Sequence, residues 1–206
     1  MLLGGASGLI GRELLQALLA DPQVAVVHSL GRRPLALEHP KLVQHVVDFA
    51  ALPVLPALDE AYVALGTTIK QAGSQAAFRA VDFDAVVNTA RAAHTAGARR
   101  LGIVSAMGAD AASRVFYNRV KGDLERDLEQ VGFASLTHAR PGLIGGERAE
   151  SRPAERAMIL ALGTVEPLLP RRWRLNPPQN IAQAMIEAAL EARPGVHVIP
   201  STDMAQ

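Results

Sequence analysis

The stretch Met1-Leu2-Leu3-Gly4-Gly5-Ala6-Ser7-Gly8-Leu9-Ile10-Gly11 decides the fold of this chain. Its apolar start predicts a short strand, and Gly5, Gly8 and Gly11 predict a turn that leads straight into a helix. Such a turn collects bare backbone N–H groups and the positive end of the helix dipole at one point, which suits a pyrophosphate. The stretch therefore favours a dinucleotide site. An ordinary strand–helix turn is the alternative, because this GxxGxxG spacing is one residue longer in its first gap than GxGxxG.

Length and composition indicate one domain and limit its partners. The 206 residues are 49% hydrophobic and 20% charged, enough for one sizeable core. We expect a single domain over 1–206, with residues 140–206 forming the substrate side. A net charge of +1 without a dense basic run predicts no nucleic-acid partner. No apolar run approaches the roughly 20 residues that span a bilayer and the start resembles no signal peptide, so we expect no membrane partner and a cytoplasmic location.

The residues that commonly bind metals give no metal site. The chain has no cysteine, which excludes disulfides and thiolate ligands. Its six histidines show no HExxH or other paired ligand spacing; they are His28, His39, His45, His94, His138 and His197. Glu147, Glu150 and Glu155 lie near the expected substrate side, but without distances they do not establish a glycosidase-type pair.

Strand-like and helix-like segments alternate along the chain. The patterns predict strands at 24–30, 42–47, 61–65, 101–106, 134–139 and 196–199, and helices at 9–20, 76–96, 115–131, 154–162 and 179–192. Pro53 and Pro56 leave little room for a helix between the third and fourth strands. This alternation predicts an α/β fold with a doubly wound parallel sheet in the order 3-2-1-4-5-6, and a ligand crevice where the order reverses.

Residues after the second, third and fourth strands indicate which dinucleotide would bind. Gly31-Arg32-Arg33 follows the second strand, where a protein selecting NAD usually carries an acidic residue. Two guanidiniums favour a 2′-phosphate and hence NADP(H), with a solvated loop as the alternative. Asp48-Phe49, after the third strand, would contact the adenine, although Asp is also common in turns. Leu65-Gly66-Thr67-Thr68 would lie beside the cofactor ribose.

Tyr117 and Lys121 are the candidate chemical groups. Their i, i+4 spacing places both on one side of the predicted helix 115–131. The ammonium would stabilise the phenolate, which suits acid and base chemistry near neutral pH. A Tyr–Lys pair at this spacing is commonly a surface feature, but this one follows the predicted central strand and lies 12 positions beyond Ser105, a further candidate.

In their order along the chain, these motifs resemble those of the short-chain dehydrogenase/reductase superfamily over nearly the whole length. The resemblance is carried by the glycine turn, Gly66-Thr67-Thr68, Ser105, Tyr117-Asn118-Arg119-Val120-Lys121 and Arg140-Pro141-Gly142. More narrowly, the chain is similar to the small atypical branch of Tat-interacting-protein (CC3-like) oxidoreductases. That likeness is carried by Leu65-Gly66-Thr67-Thr68, Gly108-Ala109-Asp110, Val120-Lys121-Gly122 and Glu150-Ser151-Arg152-Pro153.

The resemblance implies a role for each of these residues. It implies NADPH binding at the pyrophosphate and 2′-phosphate by Gly5, Ser7, Gly8, Leu9, Ile10, Gly11, Arg32 and Arg33. Tyr117 would be the acid/base, Lys121 would stabilise its phenolate and hold the nicotinamide ribose, and Ser105 would polarise the substrate carbonyl. The residues expected beside the nicotinamide are Pro141, Gly142, Leu143 and Ile144. Asp82 stands where many members carry asparagine.

These inferences predict an NADP-dependent oxidoreductase that acts on a small-molecule carbonyl/alcohol pair. An NAD(P)-dependent epimerase or dehydratase, and an NADPH-binding redox sensor without turnover, remain the alternatives. Trp173 with Arg171, Arg172 and Arg174 would form part of the substrate pocket or a solvated basic loop. A homodimer would form through the helices predicted at 76–96 and 115–131.

Overall fold

The computed structural model describes residues 1–145 and 174–205. The predicted helix 154–162 lies outside the described residues. So do the predicted substrate-side residues and motif Glu147, Glu150-Ser151-Arg152-Pro153, Glu155, Arg171, Arg172 and Trp173. In the described parts, no helix combines the length and the apolar character needed to cross a bilayer.

Seven parallel strands form the central sheet. They are β1 (Leu2–Gly4), β2 (Val27–Gly31), β3 (Leu42–Val46), β4 (Glu60–Val63), β5 (Arg100–Val104), β6 (Ser135–Arg140) and β9 (Gly195–Pro200). Their order is β3-β2-β1-β4-β5-β6-β9, so the doubly wound fold predicted from the sequence is confirmed. A separate parallel pair joins β7 (Leu143–Ile144) to β8 (Leu175–Asn176). The order reverses between β1 and β4, which is where such sheets bind ligands.

Helices cover both faces of this sheet. They are α1 (Leu9–Ala20), α2 (Ile69–Ala72), α3 (Gln75–Arg79), α4 (Ala85–Thr95), α5 (Phe116–Glu129) and α6 (Pro178–Glu191). Leu2 belongs to the core beneath α4 and α5, whereas its neighbour Leu3 belongs to the core beneath α1 and α6. Successive strand side chains point to opposite faces, so a strand buried on both faces is apolar without alternation.

The segment predicted as one helix over 76–96 is divided by a π-helical turn. The turn (Ala80–Asp84) separates α3 from α4, so the single regular helix is corrected to three consecutive pieces. Its wider i to i+5 repeat rotates the helical face, and Asp82 and Phe83 are both buried there. The prediction that little room is left for a full helix between the third and fourth strands is confirmed, since no helix occurs between Val46 and Glu60.

Candidate functional site

The three glycines after β1 differ in how closely other backbone atoms approach them. Gly5 has φ of +88°, and a Cβ there would lie 2.6 Å from the carbonyl oxygen of Ala64. A Cβ on Gly11 would lie 2.0 Å from the carbonyl oxygen of Gly5, so α1 packs directly on the turn. A Cβ on Gly8 would lie 3.3 Å from that same oxygen, and Gly8 is exposed. The turn therefore requires glycine at positions 5 and 11, whereas Gly8 leaves the exposed side of the turn without a side chain.

The first turn of α1 is free for a ligand. Gly8 is the N-cap residue, no side chain caps this helix end, and the first turn carries no acidic residue. The first N–H groups of a helix need partners from outside the helix, and an anion is the partner that the helix dipole favours. This arrangement suits a phosphate group.

A cavity of about 710 Å³ opens beside the glycine turn and brings nine of the twenty predicted cofactor residues together. Those lining it are Gly5, Ser7, Gly8, Arg32, Arg33, Asp48, Phe49, Leu65 and Gly66. Arg32 and Arg33 are both exposed, so their guanidiniums are accessible to an anion. The eleven predicted cofactor residues that do not line the cavity are Leu9, Ile10, Gly11, Thr67, Thr68, Tyr117, Lys121, Pro141, Gly142, Leu143 and Ile144. Ile10 instead packs in the core beneath α1.

Residues that the motifs do not include also shape this cavity. Ala80 and Val81 of the π-helical turn line it together with Asn88 of α4. The amide Nδ2 of Asn88 donates to the carbonyl oxygen of Phe49 at 2.9 Å, so α4 holds the loop after β3 in place. Sequence reasoning missed Asn88 because its partner lies 39 residues away and no local pattern marks the pair.

The loop after β4 meets the catalytic candidates at a buried ion pair. Lys121 Nζ lies 2.8 Å from Asp82 Oδ1, with side chains only 4% and 2% exposed. The other carboxylate oxygen of Asp82 accepts the backbone N–H of Thr67 at 2.7 Å. Thr68, by contrast, is occupied as the N-cap of α2, where its Oγ1 accepts the Gln71 N–H at 3.1 Å.

Tyr117 lies one turn before Lys121 on α5 and is half-buried. Its ring packs against Phe78 with centroids 5.6 Å apart, which fixes the ring on the side of α5 that faces α3. None of the described hydrogen bonds involves its hydroxyl. The phenol is thus held by apolar contact at one side and keeps its O–H for another partner.

Ser105 is placed differently from what its predicted role needs. It is 3% exposed, and its hydroxyl donates to Glu125 Oε1. Arg140 holds the same carboxylate, since its Nε donates to Oε1 at 3.0 Å. This contact with Glu125 contributes most to raising the pKa of Arg140 above its usual value. The single hydroxyl proton of Ser105 is directed at Glu125, whereas polarising a substrate carbonyl would require donating it there.

His138 lies in the same region and predicts a pH-dependent stability. It is 1% exposed, neither ring nitrogen has a hydrogen-bond partner, and burial lowers its pKa to about 4. The unfolded chain, with a histidine pKa near 6.5, takes up the proton first as the pH falls. We therefore expect the free energy of unfolding to decrease by about 3 kcal/mol between pH 6.5 and pH 4 because of this residue.

Urea unfolding of His138→Leu between pH 7 and pH 4 tests this expectation. The variant should lose that part of the pH dependence and gain stability relative to the wild type as the pH falls. Thr137→Val, in the same strand, removes no titratable group and should keep the wild-type slope. Identical slopes for His138→Leu and the wild type would contradict a neutral His138 in the folded protein.

The residues expected beside the nicotinamide form part of a hydrogen-bonded junction. The carbonyl oxygen of Pro141 accepts the Met107 N–H at 3.0 Å. Gly142 N–H donates to Asn176 Oδ1 at 2.6 Å, and Asn176 Nδ2 donates to the Ser201 carbonyl oxygen at 2.8 Å. Leu143 and Ile144 pair with β8. Asn176 is fully buried and was not predicted, because its partners lie 34 and 25 residues away.

Proteins of known family resemble this chain over most of its length. The model of a family described as NAD(P)H-binding matches residues 5–136. "Protein FMP52, mitochondrial" of Coccidioides immitis is 33% identical, covering 93% of this chain and 85% of that protein. "Protein HTATIP2" of Rattus norvegicus is 37% identical, covering 73% of this chain and 65% of that protein.

Solved structures share the fold at lower identity. "MoeE5 in complex with UDP-glucose and NAD" has a TM-score of 0.74 at 17% identity, covering 97% of this chain and 74% of that one. A short-chain dehydrogenase/reductase family oxidoreductase from Burkholderia thailandensis has a TM-score of 0.63 at 19% identity, covering 97% and 90%. At these identities the likeness shows the fold alone.

The relatives correct the location expected from the sequence. FMP52 proteins of Coccidioides immitis, Aspergillus fumigatus and Emericella nidulans, 33 to 35% identical to this chain, are all named as mitochondrial. The prediction of a cytoplasmic location is therefore wrong. It relied on the absence of a leader-like sequence, and such an absence does not determine a compartment.

Proposed function

The chain belongs to the NAD(P)H-binding family, and on that premise we propose that it is an NADP-dependent oxidoreductase of the atypical short-chain type. Its substrate would be a small molecule with a carbonyl/alcohol pair. One observation carries the proposal: Lys121, one helical turn from Tyr117, contacts Asp82, which also binds the backbone of Thr67 in the loop after β4. That loop borders the cavity at the reversal of strand order.

The residues present fit NADPH. The bare first turn of α1 and the exposed Gly8 would hold the pyrophosphate. Arg32 and Arg33 would hold the 2′-phosphate, because guanidinium groups form strong charge-assisted hydrogen bonds with phosphate oxygens. Asp48 and Phe49 would contact the adenine. When bound, NADPH would supply the hydride that reduces a substrate carbonyl.

Replacing both arginines should change which cofactor the protein prefers. In Arg32→Ala/Arg33→Ala, we expect the affinity for NADPH to fall about 10- to 100-fold, since charge-assisted contacts to the phosphate are lost. The affinity for NADH should change little, because NADH has no 2′-phosphate. Fluorescence titration with both cofactors measures this, and Arg91→Ala, an exposed arginine of α4, is the control. Equal losses for both cofactors would contradict a 2′-phosphate site.

Tyr117 would donate the proton to the oxygen of the reduced carbonyl. Its hydroxyl is free for this among the described contacts, and the Phe78 ring restrains its orientation. Lys121, one turn further along α5, would stabilise the phenolate left behind and contact the nicotinamide-side ribose. Ser105 donates to Glu125, so in this arrangement Tyr117 is the hydroxyl that would contact the substrate oxygen.

Substitution of Tyr117 tests the proposed activity. We expect Tyr117→Phe to bind NADPH like the wild type but to lose about 100-fold or more of its turnover, the usual contribution of a positioned acid. NADPH consumption over a panel of aldehydes, ketones and quinones measures this. Tyr62→Phe is the matched control, because Tyr62 is the other tyrosine and is buried against Glu60 within β4. Undiminished turnover in Tyr117→Phe would rule out this proton donor.

An NADPH-binding sensor without turnover is the second candidate, and the donation of Ser105 to Glu125 favours it. Tight NADPH binding by the wild type with no turnover on any carbonyl would support the sensor. An epimerase or dehydratase, which would oxidise its substrate only transiently, shares the same site. We also propose that the chain forms a homodimer through segment 76–96, which comprises α3, the π-helical turn and α4, and through segment 115–131, which contains α5.

A further inference from the structure

The π-helical turn Ala80–Asp84 places a carboxylate where two parts of the candidate site meet. Asp82 is at the middle of this turn and is 2% exposed. One of its oxygens pairs with Lys121 Nζ and the other accepts the Thr67 N–H. Its Oδ1 also lies 3.4 Å from where a Cβ on Gly66 would stand, so the carboxylate packs closely on this loop.

No other charged group among the described residues replaces Asp82 in this role. Across the same helix interface, Arg79 pairs with Asp123 at 3.7 Å, and the Arg79 guanidinium lies 4.0 Å from the Phe83 ring centroid. Glu125, one turn beyond Lys121, is held by Arg140 and Ser105. Within the described ion pairs, Lys121 is thus neutralised by Asp82 alone.

We propose that Asp82 is a positioning residue for the oxidoreductase reaction. By holding Lys121 and the Thr67 N–H with one carboxylate, it fixes the proton-donating helix α5 to the loop that would contact the nicotinamide-side ribose. This inference rests on the proposed function above. Ala80 and Val81 of the same turn line the cavity, so the turn connects the proposed cofactor site with the Tyr117–Lys121 pair.

In the proposed mechanism the contact also affects the charge near Tyr117, which lies one helical turn from Lys121. The Asp82–Lys121 pair is neutral as a unit, so the ammonium stabilises a phenolate on Tyr117 less than an unpaired ammonium would. Replacing Asp82 by asparagine would remove the negative charge of this pair and keep the size of the side chain. Asp82→Glu has a longer side chain that keeps the negative charge, so it should disturb the positions of Lys121 and Thr67 without changing the charge of the pair.

Asp82→Asn and Asp82→Glu together test the proposal. Circular dichroism first shows that each variant is folded, and the glutamate variant retains a buried partner for Lys121. We expect both to bind NADPH at least about fivefold more weakly and to have kcat reduced about tenfold or more, because Lys121 is displaced. Only Asp82→Asn should change the pH profile of kcat, because only it removes the charge.

Asp123→Asn is the matched control, since Asp123 lies on α5 with Lys121 and pairs with Arg79 and Arg126 but not with Lys121. It should keep the wild-type NADPH affinity and pH profile. NADPH affinities of Asp82→Asn and Asp82→Glu within twofold of the wild type would overturn the positioning role. A wild-type protein that turns over no carbonyl would overturn the oxidoreductase instead, while the NADPH affinities would still decide the role of Asp82.

Discussion

Gly11→Ala is expected to destabilise the protein by more than about 4 kcal/mol, beyond the range of most single substitutions. The new Cβ would lie 2.0 Å from the carbonyl oxygen of Gly5 and 2.7 Å from its carbonyl carbon. Both atoms belong to the backbone, so no side chain can move aside. Relief requires α1 to move off the turn, which would disrupt the core that Leu14 and Leu18 form beneath it. Urea unfolding followed by circular dichroism measures the loss.

Gly8→Ala separates the fold of the turn from the binding of a ligand. Its Cβ would lie 3.3 Å from the carbonyl oxygen of Gly5, on the exposed side of the turn. We expect a stability loss of about 1 kcal/mol, far less than for Gly11→Ala, since an N-cap prefers glycine to alanine by about that amount. NADPH affinity should fall strongly, because the methyl group projects where the pyrophosphate would approach. Stability near wild type in Gly11→Ala would contradict the packing described here.

The fold could be predicted because the residue patterns along the chain agree with the way its strands and helices pack. Leu2 and Leu3 are consecutive apolar residues in a strand covered on both faces, and the glycines that follow form a tight turn that leads directly into α1. The π-helical turn was not predicted. Its residues continue the apolar spacing of the neighbouring helices, and one wider turn changes that spacing too little to be recognised in a sequence.

The candidate site could be predicted where its residues follow strand ends. Arg32, Asp48 and Gly66 line one cavity because parallel strands carry their ends to the same edge of the sheet. The partners of Ser105 and Asp82 could not be predicted, because Glu125 and Lys121 approach them only after α5 has packed. For Asp82 the sequence holds one usable sign, a charged residue between the apolar Val81 and Phe83.

Lys121→Met is expected to lower the free energy of unfolding by about 3 to 5 kcal/mol, the usual cost of removing one partner from a buried ion pair. The carboxylate of Asp82 would stay 2% exposed with the Thr67 N–H as its remaining partner. The same variant should lose NADPH affinity, because the group proposed to hold the ribose is gone. Urea unfolding at pH 7 and fluorescence titration measure the two effects.

The double variant Asp82→Leu/Lys121→Met separates those effects. Replacing both members of a buried pair with apolar groups is often neutral, so we expect at least half of the lost stability to return. NADPH affinity should stay low, since neither the ammonium nor its positioning carboxylate is restored. A loss of less than about 1 kcal/mol in Lys121→Met would show that the ion pair contributes less to stability than its burial implies. Recovery of NADPH affinity in the double variant would mean that the unpaired carboxylate, and not the missing ammonium, had weakened binding, and Lys121 would then have no direct part in holding the cofactor.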